Sequence, residues 1–169
     1  SVIPLFIEQI KSGQPITVTD PKMTRFLMSL EEAVDLVLFA FHHAQQGDLF
    51  VQKAPASTIL NLAQALKELF HAPNEILTIG ARHGEKLFET LVTREEMARS
   101  IELENYFKIT MDNRNLNYEK YLTLGNKRTL VADEYTSSNT TMLSIPEIKE
   151  KLLKLDFIQN ELTAWRDGK

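Results

Sequence analysis

Few residues of this chain have a type and spacing that could do chemistry. His42 and His43 are adjacent, so on a helix they point about 100° apart and cannot share a metal ion. His71 follows a predicted helix end, where a cation complements the helix dipole. The acidic pairs Glu31/Glu32 and Glu95/Glu96 fall at predicted helix N-termini, where capping accounts for them. No Walker loop, G-x-S-x-G, H-E-x-x-H or G-x-G-x-x-G is present. With no cysteine there is no disulfide and no thiolate-ligated zinc, which suits a cytoplasmic protein. Taken singly, Arg25 reads as a surface partner of Asp20 or Glu31. Arg82 and Glu85 read as a loop ion pair worth ~0–1 kcal/mol, and Met23 and Pro4 as packing residues. These residues alone designate no catalytic centre and no metal site.

The elements that would position them follow from periodicity. Ile3, Phe6, Ile7 and Ile10 recur at helical spacing, with Pro4 in the first turn and Gly13 as the stop. Ile16 to Thr19 alternates like a short strand turned by Asp20-Pro21, and Thr24 to Met28 reads as a second strand. Ser29-Leu30-Glu31-Glu32 is a capping box that opens a helix to about Gln45. That helix is apolar on most sides, so packing on more than one face is expected, against a sheet that this chain does not supply. Strands are predicted at Leu49–Val51, Glu75–Ile79 and Tyr106–Thr110, and a helix from about Thr58 to Phe70. A short helix is expected after Gly84-Glu85. Thr93-Arg94-Glu95-Glu96 and Ser144-Ile145-Pro146-Glu147 are two further capping boxes, the last opening a closing helix with Ile148, Leu152 and Leu155 on one face. Gly125-Asn126 reads as a hairpin turn.

Strands alternating with helices give an α/β fold, mostly helical with a few short strands. The 169 residues fit one domain or one lobe of a larger one. A formal net charge of −4 gives no reason to expect nucleic acid or an anionic membrane as partner. No apolar run reaches the ~18 residues of a membrane span. Ser1 leads straight into an apolar-faced helix without an initiator Met, which reads as a cut inside a longer protein.

Two clusters add a resemblance. Gly13-Gln14-Pro15-Ile16-Thr17-Val18-Thr19-Asp20-Pro21-Lys22-Met23-Thr24-Arg25-Phe26 resembles the segment of extended short-chain dehydrogenases/reductases in which a helix ends, a short strand follows and an Arg-aromatic pair precedes a capped helix. Gly80-Ala81-Arg82-His83-Gly84-Glu85-Lys86-Leu87-Phe88-Glu89 is similar to the R-x-G-E-K-L-x-E stretch of the branch that dehydrates UDP-N-acetylglucosamine at C4 and C6. Ser1 to Phe6 and Phe50 to Ala56 are similar to further segments of that branch. Tyr135-Thr136-Ser137-Ser138-Asn139-Thr140 resembles the tail of its 5-inverting subgroup, which makes capsule and O-antigen precursors. Where many relatives read Arg-Asp-aromatic this chain has Arg25-Phe26, a departure that argues against the common epimerase and glucose-dehydratase branches.

The resemblance implies a C-terminal substrate-binding half of an extended Rossmann-type fold over residues 1–169, with 133–169 as a tail segment carrying the closing helix. The half that holds NADP would lie outside it. Its implied substrate is UDP-N-acetylglucosamine and its implied assembly a homo-oligomer. NADP would take hydride from C4, the 4-ketone would acidify C5–H, water would leave from C6, and hydride would return there. Reprotonation of C5 on the opposite face would complete the inversion. Arg25 and Arg82 would grip the diphosphate, which forked, permanently charged guanidinium donors suit. Glu85 would accept from ribose or sugar hydroxyls, Pro4 and Thr17 would lie around the nucleoside, and Met23 would flank Arg25. No catalytic residue is implied here, so the chain by itself is expected to be inactive. A 4-epimerase or reductase of the same superfamily, or a non-catalytic sugar-nucleotide-binding module, remains open.

Overall fold

A computed structural model describes residues 2–81, 83–111 and 133–168 of the chain. Helix α1 (Val2–Lys11) leads to strand β1 (Ile16–Val18), strand β2 (Thr24–Phe26) and helix α2 (Leu30–His43). Strands β3 (Leu49–Gln52) and β4 (Ala56–Thr58) precede helix α3 (Ile59–Leu69). Then come strands β5 (Ile76–Thr78) and β6 (Thr90–Val92), helix α4 (Arg94–Met97), and strands β7 (Ser100–Glu102) and β8 (Tyr106–Ile109). Strand β9 (Tyr135–Thr136) and helices α5 (Ile145–Leu153) and α6 (Asp156–Asp167) follow. The fold is mixed α/β, with helices outweighing several small sheets, as the sequence pattern predicts.

The strands form separate ladders: β1 with β5 in parallel, β2 with β4 antiparallel, β3-β8-β7 antiparallel, and β6 with β9 antiparallel. One core gathers Phe6 and Ile10 of α1, Ile16 and Val18 of β1, Leu62 and Leu66 of α3, Ile148 of α5 and Ile158 of α6. A second, smaller core joins Val51, Val92, Phe107, Ile109 and Tyr135. The capping boxes of α2 and α4 form as their spacing requires: Ser29 N–H donates to the Glu32 carboxylate at 2.6 Å, and Thr93 N–H donates to Glu96 at 3.0 Å. At α5, Ser144 N–H donates to Glu147 at 2.8 Å.

Two expectations are corrected. No helix forms after Gly84-Glu85: the carbonyls of Lys86 and Leu87, which a helix would bond internally, instead accept from the Arg25 side chain at 3.0 Å and Thr24 N–H at 2.8 Å. The closing helix is two helices. Ile158 would lie about 80° from Ile148 around a straight helix, and the break at Lys154-Leu155 lets both enter one core. Strands β4, β6, β7 and β9 are additions that the sequence pattern does not predict. The Gly125-Asn126 turn lies outside the described residues.

Helix α2 has no fully buried residue. Its Phe39 stacks on Tyr106 and meets Phe50 edge-on, with ring centroids 4.2 and 5.4 Å apart. The opposite stripe, Leu30, Val34, Val37, Leu38 and Phe41, faces outward, with Leu30 78% and Phe41 82% exposed. Among the described residues no helix is long and apolar enough to cross a membrane.

Candidate nucleotide-sugar site

The two sequence clusters, with Arg25 and Arg82 57 residues apart in the chain, meet in space. Asp20-Pro21 turns the chain between β1 and β2, the Asp20 carboxylate accepting from Lys22 N–H at 2.7 Å. That turn delivers Arg25 on β2, held flat by its ladder with β4, in which Arg25 lies opposite Ser57. The loop at 83–89 runs along the other side of β2: Thr24 N–H donates to Leu87 O at 2.8 Å and Phe26 N–H to the Glu89 carboxylate at 3.1 Å. Gly84 has φ +86°, a backbone conformation that residues with a Cβ rarely adopt.

Arg25 is thereby fixed from three sides. Its Nη1 donates to Thr24 O at 2.7 Å, and its Nη2 to Lys86 O at 3.0 Å and to the Met23 sulfur at 3.0 Å. Its Nε lies 3.8 Å from the Glu89 carboxylate. Its acidic neighbour is therefore Glu89, and not the Asp20 or Glu31 that sequence proximity suggests. These hydrogen bonds use three of the five guanidinium N–H donors, and the side chain keeps about a quarter of its surface accessible.

A cleft of about 530 Å³ opens beside it, within the range of small-molecule sites. Its walls come from the start of α1, β1, β2, the start of α3 and the 85–89 loop, and they include Thr17, Met23, Arg25, Glu85 and Glu89. Four of the sequence-predicted residues, Thr17, Met23, Arg25 and Glu85, thus share one cleft. Met23 is 3% exposed and serves as a wall, its sulfur also accepting from the Thr19 hydroxyl at 3.7 Å. The Thr17 hydroxyl accepts from Gln9 Nε2 at 2.8 Å, which orients it. Pro4 is elsewhere: on the helix it points away from Ile3 and Phe6 and lines a separate hollow with Lys11, Phe157 and Glu161. It does not line the cleft that the other four share. Arg82 lies outside the described residues.

Sequence reasoning passed over Glu89 and Ser137, although both sat within the quoted clusters. Their signal was available only as motif membership, because each bonds backbone groups of β2 that the linear sequence does not bring near. A second hollow of about 640 Å³, lined by Phe50, Gln52, Lys86 and Leu91 among others, adjoins the first and shares Phe26, Met28 and Glu89 with it. Among the described residues no group of three or more His, Cys, Asp or Glu is arranged to hold a metal ion. Among the described residues, the parallel β1–β5 pair leads at Gly80 into the loop, without the glycine-rich turn into a helix that cradles a pyrophosphate.

Comparison with known proteins fits this geometry. A family model described as polysaccharide biosynthesis protein matches residues 1–111, and one described as polysaccharide biosynthesis protein C-terminal matches residues 112–159. Proteins named UDP-glucose 4-epimerase from Rickettsia rickettsii (strain Sheila Smith) and Rickettsia prowazekii (strain Madrid E) are each 57% identical over 162 residues, covering 96% of this chain and 48% of theirs. The chain therefore spans about half the length of these relatives. The X-ray structure of Pen from Bacillus thuringiensis superposes with a TM-score of 0.71 at 33% identity, covering 92% of this chain and 45% of that one.

Proposed function

The chain belongs to the polysaccharide biosynthesis protein family, and from that premise we propose that it is the nucleotide-sugar-binding part of a UDP-sugar-modifying enzyme. The finer activity we assign is 4,6-dehydration of UDP-N-acetylglucosamine with inversion at C5. The observation that carries the reading is the convergence of Arg25 with the 85–89 loop on one cleft. A guanidinium already braced by two carbonyls presents its remaining donors without losing further side-chain entropy, which suits a diphosphate. Glu85 on the same cleft suits sugar or ribose hydroxyls, and buried Met23 supplies an apolar wall. Arg82, three residues before Glu85, is the second diphosphate ligand in this assignment.

NAD(P) belongs, in this reading, to the portion of the relatives' length that this chain does not span, and so do the groups that move protons and hydride. The outward stripe of α2, from Leu30 to Phe41, is the surface on which that portion packs. What this chain contributes is grip and orientation, which lower a barrier by fixing reactants in place.

A second reading, 4-epimerisation of a UDP-hexose, is favoured by the name that the 57%-identical relatives carry. Incubating the full-length protein with UDP-N-acetylglucosamine and with UDP-glucose separates the two. A 4-keto-6-deoxy product supports the dehydratase, and interconversion of C4 epimers supports the epimerase.

The site itself is tested by Arg25→Ala in the full-length protein. We expect UDP binding by calorimetry to weaken on the order of ten- to a hundredfold, or about 1.5–3 kcal/mol, with NADP binding little changed. Arg25→Lys should recover only part of the loss, because an ammonium keeps the charge without the fork. Unchanged UDP affinity in Arg25→Ala would remove the site.

A further inference from the structure

Ser137 lies 113 residues from Thr24 in the chain, and its side chain is fully buried against it. Three hydrogen bonds converge on its hydroxyl. It donates to Thr24 O at 3.1 Å, accepts from Glu89 N–H at 2.9 Å, and meets the Thr24 hydroxyl at 2.8 Å. A serine hydroxyl has one hydrogen and two lone pairs. With the hydrogen spent on Thr24 O, the Thr24 hydroxyl must be the donor in the third contact. Every valence of this oxygen is then used, on a fully buried side chain, where such a set is expensive to disturb.

The two residues that this hydroxyl bonds, Thr24 and Glu89, both touch Arg25. Thr24 O, which Ser137 engages through one lone pair, accepts from Arg25 Nη1 through the other at 2.7 Å. Glu89, whose carboxylate faces Arg25 Nε at 3.8 Å, has its own backbone clasped by Ser137 twice: its N–H donates to the hydroxyl, and its carbonyl accepts from Ser137 N–H at 2.8 Å. The turn that carries Ser137 is braced in its own right. Thr136 N–H donates to the Asn139 side chain at 2.8 Å, and the Asn139 amide donates to Glu134 O at 2.7 Å. Tyr135 donates to Ala54 O at 3.0 Å, anchoring the turn to the β3–β4 connection.

We propose that Ser137 is a positioning residue for nucleotide-sugar binding, setting the orientation of the Arg25 guanidinium through the shared Thr24 carbonyl and the Glu89 backbone. It does not line the cleft and touches no ligand; it acts through Arg25. A buried serine that served packing alone would not need its three polar partners drawn from the two segments that flank Arg25. The inference rests on the assignment of Arg25 to the nucleotide-sugar cleft.

The test is a double-mutant cycle in the full-length protein, with UDP as the probe, affinity read by calorimetry and folding by thermal melting. Ser137→Ala should weaken UDP binding roughly three- to tenfold, less than Arg25→Ala does. In an Arg25→Ala background the same substitution should cause no further loss, because the group through which it acts is gone. Ser137→Cys, of similar size, takes its place if the alanine variant does not fold, with the same pattern expected. Unchanged UDP affinity in the serine variant, or a penalty that persists without Arg25, overturns the inference while the site stands. Unchanged affinity in Arg25→Ala alone brings down the site assignment, and this inference with it.

Discussion

Helices α2 and α3 carry comparable apolar stripes and meet opposite fates. In α3, Ile59, Leu62, Ala63 and Leu66 are all buried between α1, β1 and α5. In α2, Leu30, Val34, Val37, Leu38 and Phe41 recur at the same helical spacing and remain outside. Each begins at a hydroxyl N-cap, Ser29 or Thr58, whose oxygen accepts a third-residue N–H. Local sequence therefore suffices to start and align both helices. It specifies which face is apolar and not what covers it, since burial is a relation between elements distant in sequence. An apolar stripe of this size is unusual on a surface left to water, which is why we place a partner there.

The comparison can be broken by substitution. Leu66→Ala, at a fully buried site of α3, should cost about 2–5 kcal/mol through lost transfer energy and the cavity left behind. Urea unfolding followed by circular dichroism measures it, and a loss under 1 kcal/mol would mean that the α3 side is no better packed than α2. Phe41→Ser should behave in two ways. In the 169-residue chain it should change stability by no more than about 0.5 kcal/mol, as at other exposed sites. In the full-length protein it should lower the melting temperature if the proposed packing on the stripe holds. Equal effects in both backgrounds would leave the α2 face without a docking role.

A pH-dependent effect sharpens the comparison at the α2 N-terminus. Burial of Glu32 opposes its ionisation, but hydrogen bonds from Lys151 and Ser29 outweigh this and hold its carboxyl below the ordinary value of 4.5. The Lys151 ammonium lies 2.6 Å from it and ties α5 to this end of α2. A carboxyl whose folded value is depressed contributes stability above its unfolded value and loses it as pH falls through the folded one. Stability should therefore decline below about pH 4.5, and Glu32→Gln should flatten part of that decline while lowering stability near neutrality by about 1 kcal/mol. Denaturant midpoints measured between pH 3 and 7 decide it. Parallel curves for the two proteins would show that the capping carboxylate is not ion-paired in solution.

The sequence by itself determined the local order of this protein. Capping boxes at Ser29, Thr93 and Ser144, the turn at Asp20-Pro21 and the stripes of α1 and α3 follow from residues within a few positions of one another, where hydrogen-bond reach and helical pitch fix the outcome. Spacing alone left Arg25 and Glu85 as surface residues, and only the resemblance of their two clusters to a known family singled them out. Only the tertiary structure decided that the loop at 83–89 forms no helix, because the Arg25 side chain and Thr24 N–H take the Lys86 and Leu87 carbonyls that a helix would have used. It also decided that Arg25 faces Glu89 rather than Asp20, and that Ser137 reaches across 113 residues to clasp Thr24. Each of these depends on a backbone group or a buried oxygen finding a partner far along the chain. The requirement that buried polar groups be satisfied acts on the folded whole, and no window of sequence contains it.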